Sequence, residues 1–218
     1  MLTNIKAAIF DLDGTLIDSM WVWEKIDVDY LLSKGFQMPE GFRKDIAHLS
    51  FEDSAVYFKK RFNLEDSLEK IKDDWHNMAV KEYSTNVKLK KGAKEFLTYL
   101  KNKGIKIGLA TSNYAALISI VLNNNDIHHL FDAITTTNEV SRGKDCPDVY
   151  LLAAEKLAVD PSQCIVFEDI LPAVLAAKSA GMKVVGVLDQ AASDQWDEIT
   201  KNAYITITDF TSLNYNLP

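Results

Sequence analysis

Ile5-Lys6-Ala7-Ala8-Ile9-Phe10-Asp11-Leu12-Asp13-Gly14-Thr15-Leu16 is the stretch from which the fold can be worked out. Ala7 to Phe10 are apolar without a break, so they lack the alternation of a half-exposed strand. Such a run suits a strand covered on both faces, as in a parallel sheet. It stops abruptly at Asp11, and two carboxylates one residue apart then lead into a glycine. Open parallel sheets carry their sites at the carboxyl ends of the strands, so this stop is where chemistry is expected.

Further along, from about Val87, short apolar runs alternate with amphipathic stretches. The spacing predicts a helix over Gly92–Lys103 stopped by Gly104, a strand over Ile105–Ala110 and a helix over Tyr114–Asn123. A strand over Asp132–Thr135, a helix over Pro147–Leu157 and a strand over Cys164–Phe167 follow. The last elements are a helix over Pro172–Ala180 stopped by Gly181, a strand over Lys183–Val187, a helix over Asp194–Lys201 and a strand over Ala203–Ile207. This alternation predicts an α/β fold with a doubly wound, Rossmann-like parallel sheet.

Residues 19–84 have a different texture. Apolar residues recur there at helical spacing: Trp23, Ile26, Tyr30 and Leu31, then Ala55, Phe58 and Phe62, then Leu68, Ile71, Trp75, Met78 and Ala79. Gly35, Pro39 and Gly41 break the helices apart, and no strand pattern stands out. The expected organisation is a catalytic core of residues 1–18 and 85–218, with an all-helical domain of residues 19–84 inserted after the first strand.

Hydrophobic residues make up 47% of the 218 and charged residues 25%, which excludes a disordered chain. Lys and Arg number 24 against 31 Asp and Glu, a net charge of −7. That balance argues against a nonspecific nucleic-acid or membrane-surface binder, yet leaves a small anionic substrate open. Cys146 and Cys164 are too few for a disulfide framework or a zinc cage and fit a reducing compartment. The apolar run before Asp11 is too short for a signal peptide, and no stretch approaches the ~18–20 apolar residues of a membrane span. The expectation is a soluble cytoplasmic protein, a monomer or weak homodimer.

Three polar clusters directly follow predicted strands: Asp11 and Asp13, Thr111-Ser112-Asn113, and Glu168-Asp169. All three should meet at one edge of the sheet. Carboxylates at 11, 13 and 169 repel one another unless a cation joins them, and an all-oxygen set suits Mg²⁺. Lys144, in a loop before a helix, can neutralise developing negative charge. Carboxylate nucleophile, metal, hydroxyl donor and lysine together describe phosphoryl transfer.

With Asp11-Leu12-Asp13-Gly14-Thr15-Leu16, Thr111-Ser112-Asn113, Lys144 and Glu168-Asp169 in this order, the chain resembles the haloacid dehalogenase superfamily of phosphohydrolases. It is most similar to the subgroup with a helical cap after the first strand, which includes β-phosphoglucomutase. The resemblance implies that Asp11 attacks phosphorus and that Asp13 serves as acid and then base. It implies that Asp11, the Asp13 carbonyl and Asp169 bind Mg²⁺, with Glu168 acting through water. Leu12, Thr111, Ser112 and Lys144 would hold the phosphoryl oxygens, Gly14 would allow a tight turn, and segments 16–19 and 84–88 would hinge the cap. Ile170 and Ala173 stand where relatives carry Ser and Gly, a departure that bears on the shape and hydrogen bonding of that loop and not on metal binding itself. Asp145 stands where Pro commonly follows the lysine.

Within the inserted domain, Trp23, His48 and Phe51 are the candidates for substrate specificity. Trp21 and Trp23 fall on different helix faces, one expected in the core and the other lining a cleft. Lys88, Lys90 and Lys91 are expected to form a solvated face.

The function this implies is a Mg²⁺-dependent phosphatase of a small phosphorylated metabolite. The alternative is a sugar phosphomutase like β-phosphoglucomutase. Against it, Phe51 and Ala47 stand where the mutase loop carries the Arg and Lys that grip a second phosphate. A noncatalytic phosphate- and Mg²⁺-binding regulatory protein is a further alternative.

Overall fold

The computed structural model describes residues 4–42, 46 and 51–213. The chain packs into two compact units, one formed by residues up to Asp18 and from Val87 onward, the other by Ser19–Asn86.

The first unit is built on strands β1 (Ala7–Phe10), β4 (Lys106–Thr111), β5 (Ala133–Thr136), β6 (Cys164–Glu168), β7 (Lys183–Val187) and β8 (Ile205–Ile207). They form one sheet in the order β5-β4-β1-β6-β7-β8, and every pairing is parallel. β1 lies in the middle, and all four of its residues are fully buried. Its side chains divide between two covered faces, which explains the unbroken apolar run. Ala7 and Ile9 join Val149, Ala153, Ala173 and Val174 of the helices Asp148–Lys156 and Leu171–Ser179. On the other face Phe10 stacks on Phe167 with ring centroids 4.5 Å apart, and Phe96 and Phe210 complete the layer. The strand begins at Ala7 rather than Ile5, although Ile5 is buried too.

The sequence reading misses a two-residue antiparallel ribbon, β2 (Ile17–Asp18) paired with β3 (Lys88–Leu89). It also places Lys90 wrongly. Lys88 and Lys91 are exposed, but Lys90 turns inward. The Lys90 Nζ donates to Asp189 Oδ2 at 2.9 Å and to the Leu188 carbonyl at 2.7 Å. Both charged side chains keep only about a tenth of their surface, 11% and 8%. Breaking a pair this sheltered strands the remaining charge. Lys90→Met should therefore cost about 2–3 kcal/mol in urea unfolding, and adding Asp189→Asn should recover part of the loss.

Among the described residues the second unit contains the helices α1 (Met20–Ser33), α2 (Phe51–Arg61) and α3 (Leu68–Thr85) and no strand. Its core is aromatic: Trp75 meets Phe58 edge-on at 4.8 Å and Tyr30 at 5.7 Å. Ser67 caps α3 by accepting from the Lys70 N–H at 3.1 Å. Val22, Ile26, Tyr30 and Leu31 form the buried stripe of α1. Neither flanking tryptophan is in the core, contrary to expectation, since Trp21 and Trp23 are both half-buried. Phe51 stays 43% exposed while its ring lies edge-on to Trp23 at 6.1 Å. His48 and Ala47 lie outside the described residues. No described helix is long and apolar enough to cross a membrane.

Candidate active site

The register of the sheet assembles the site. Phe10 is level with Leu109 on β4 and with Phe167 on β6, so Asp11, Thr111 and Glu168 all emerge just beyond this row. The Asp11 N–H still bonds to the Phe167 carbonyl at 3.0 Å, holding the residue against β6. The chain then turns sharply. Gly14 has φ +81°, its N–H bonds to the Ile17 carbonyl at 3.1 Å, and the Leu12 carbonyl accepts from both Leu16 and Ile17. A side chain at that φ would cost about 1–2 kcal/mol, so Gly14 fits the turn as expected.

Lys144 reaches the same point from the loop before the Asp148–Lys156 helix. Arg142 braces that loop with a bidentate bond to Asp148, at 3.1 and 2.6 Å. The Lys144 Nζ donates to Asp11 Oδ1 and to Glu168 Oε1. The Tyr150 hydroxyl donates to the same Glu168 oxygen at 2.6 Å. Glu168 Oε2 accepts from the Asp169 N–H at 3.3 Å, and Thr15 Oγ1 donates to Asp169 Oδ1 at 2.9 Å.

One carboxylate oxygen from each of Asp11, Glu168 and Asp169 lies within 4.8 Å of the others, and all three residues are buried. Three carboxylates facing one ammonium leave a charge of −3 + 1 = −2 when all are ionised. Burial pushes the Asp11 carboxyl well above the usual carboxylate range; Lys144 pulls it down while Glu168, Asp169 and Asp13 push it further up. Asp169 is pushed up to about 7, by burial first and then by Glu168. Lys144 is held protonated: burial opposes its charge, but Asp11 and Glu168 outweigh it. The cluster therefore lacks two positive charges and offers hard oxygen donors, which fits a small divalent cation.

Asp13 stands apart from this cluster. Its Oδ2 accepts from Asn113 Nδ2 at 2.8 Å. Thr111 ends β4 almost wholly buried, and its Oγ1 accepts from the Asn113 N–H at 3.0 Å. Ser112 is exposed and Leu12 is fully buried. Asn113 thus links Thr111 to Asp13.

The loop substitutions at 170 and 173 are absorbed locally. Ile170 precedes the Leu171–Ser179 helix and offers no side-chain cap, but Gln195 Oε1 accepts from the Leu171 N–H at 3.0 Å in its place. Ala173 is small enough to be fully buried against the sheet. Three contributors escape the sequence reading: Thr15, Asn113 and Tyr150. Thr15 and Asn113 sit inside the quoted motifs, so their hydroxyl and amide were visible there. Tyr150 lies in an amphipathic helix, where periodicity shows only a ring for the core.

Residues 8–187 match the sequence profile of the haloacid dehalogenase-like hydrolases. A phosphorylated carbohydrates phosphatase of Thermotoga maritima is 32% identical over 185 residues, covering 84% of this chain and 86% of its own. Hexitol phosphatase B of Escherichia coli is 30% identical over 192 residues, with 84% of each chain covered. The crystal structure of a candidate β-phosphoglucomutase from Thermotoga maritima superimposes with a TM-score of 0.82 at 30% identity, covering 93% of this chain and 94% of the other. The parallel sheet, the acidic cluster at its carboxyl edge and these matches agree: the chain belongs to the haloacid dehalogenase-like hydrolase family.

Proposed function

We propose that this protein is a Mg²⁺-dependent phosphatase that releases phosphate from a small phosphorylated metabolite, with a sugar or polyol phosphate as the first class to test. The observation that carries this reading is Asp11: a buried carboxylate at the end of the central strand, gripped by Lys144 and clustered with Glu168 and Asp169.

The Asp11 carboxylate oxygen would attack phosphorus as the bond to the ester oxygen breaks, giving an aspartyl-phosphate. Asp13, oriented by Asn113, would give its proton to the departing oxygen. It would then take a proton from the water that attacks the aspartyl-phosphate, freeing phosphate and restoring Asp11. Lys144, the Thr111 hydroxyl and the Leu12 and Ser112 backbone would hold the phosphoryl oxygens. Asp11, Asp169 and the Asp13 carbonyl would hold Mg²⁺, with Glu168 at or beside the ion. Bound there, Mg²⁺ supplies the missing positive charge and draws electron density from the phosphoryl group. Trp23, His48 and Phe51 of a cap domain at residues 19–84 would select the leaving group. A cytoplasmic monomer or weak homodimer without nucleic-acid or membrane partners completes the reading.

The test is phosphate release from a panel of sugar, polyol, nucleotide and aryl phosphates, with Mg²⁺ or a chelator. Release that requires Mg²⁺ supports the reading. A folded, Mg²⁺-binding protein that releases nothing would favour the phosphomutase or the noncatalytic binder instead. Thr111→Val keeps the shape of the side chain and removes one donor, so kcat/KM for the best substrate should fall about 10²-fold. Steady-state kinetics on that substrate checks this.

A further inference from the structure

We propose that Tyr150 is a positioning residue of this site, whose hydroxyl and ring hold Glu168 and Lys144 in the arrangement from which the acidic cluster takes up Mg²⁺; the inference rests on the metal-dependent reading above.

Tyr150 is fully buried in the layer between the sheet and the helices, among Val149, Ala153 and Val174. Packing alone asks only for a ring, and the opposite face of the same sheet is filled by phenylalanines at 10, 96, 167 and 210. A phenolic oxygen in such a layer is a cost unless it finds a partner. Here the partner is the Glu168 carboxylate, itself fully buried, at 2.6 Å.

The contacts form a closed circuit. Glu168 Oε1 takes the Tyr150 hydroxyl and the Lys144 ammonium together, leaving Oε2 turned to the Asp169 N–H. The Lys144 Nζ also lies 5.9 Å from the centre of the Tyr150 ring. Only five residues separate Lys144 from Tyr150 in the chain, and the Tyr150 N–H bonds to the Pro147 carbonyl at 3.1 Å. One tyrosine therefore fixes both the carboxylate and the lysine that share the charge of the cluster. An entering cation must draw on the same carboxylates that Lys144 grips. A neutral donor on Oε1 keeps the Glu168 carboxyl plane in place while that exchange happens. Partners of this kind, one bond removed from a ligand, typically change metal affinity 10- to 100-fold.

The experiment is a calorimetric Mg²⁺ titration of the full-length protein and of Tyr150→Phe, without substrate. The variant keeps the ring and should fold. Its Mg²⁺ Kd should rise about tenfold. Its phosphatase activity, reduced at low Mg²⁺, should return as Mg²⁺ is raised, which a loss of packing would not allow. Glu168→Gln alone and combined with Tyr150→Phe supply a second measurement. If Tyr150 acts through Glu168, the tyrosine change should alter Kd less than twofold in the Gln background. An unchanged Kd in Tyr150→Phe, or full additivity in the double variant, overturns the inference. Wild-type protein that takes up no Mg²⁺ overturns the parent reading as well, so the two failures are told apart.

Discussion

Asp11→Asn should reduce phosphate release by roughly 10⁴- to 10⁶-fold, to the background of the assay, with the fold intact. Asparagine has the shape of aspartate, and its amide oxygen can still accept from Lys144. It lacks the anionic oxygen that would attack phosphorus. The structural cost is small for a reason particular to this site. Asp11 is buried with Glu168 and Asp169 nearby, so its charge is already disfavoured before any metal enters. The sign of the linkage follows. A carboxyl held above its unfolded value binds its proton more tightly in the native state, so it destabilises the fold as pH rises past the ordinary carboxylate range near 3.9. Asp11→Asn removes that term. Above about pH 4 the metal-free variant should match or exceed the wild type in thermal stability. Calorimetric melts in chelator, beside phosphate release with Mg²⁺, check both halves. Substantial turnover by a folded Asp11→Asn protein would sink the nucleophile assignment.

How much of this was legible beforehand depends on the range of the interaction involved. The run Ala7–Phe10 carried the central strand because burial on both faces leaves a direct mark on composition. Once the strands were placed, the carboxyl-end rule brought Asp11, Thr111 and Glu168 to one edge. The β2–β3 ribbon was missed because two residues per strand cannot display a period. Lys90 was misread because its partner Asp189 lies on a distant segment that only the fold brings near. Trp21 and Trp23 flank Val22, the first buried residue of α1, and both are half-buried, a distinction that apolar spacing alone does not mark. The Tyr150 hydroxyl was missed because periodicity counts its ring as apolar and says nothing of the oxygen.

Asp13→Asn should fail differently from Asp11→Asn, and the contrast tests the division of labour between the two carboxylates. Asp13 lies beyond the Gly14 turn's entry, bonded to Asn113, and its carboxylate is not one of the three that cluster. Its loss should leave Asp11, Lys144 and the clustered carboxylates in place while removing the proton transfer proposed for it. General acid–base catalysis is worth about 10²- to 10⁴-fold, and steady-state turnover of an alkyl phosphate should fall by that amount. An aryl phosphate expels a stable phenolate and needs little protonation, so the first step should survive on that substrate. The second step still needs a base for water. A rapid burst of phenol, close to one per enzyme, should therefore precede slow turnover, and quenched protein should carry phosphate on Asp11. Asp11→Asn should show neither signal. An Asp13→Asn protein that loses alkyl and aryl substrates equally, with no burst, would make Asp13 a positioning group for Asp11. One that turns over both at the wild-type rate would mean that another group moves the proton. The burst is the sharper measurement, because it separates a site that cannot attack phosphorus from one that attacks and then cannot let go.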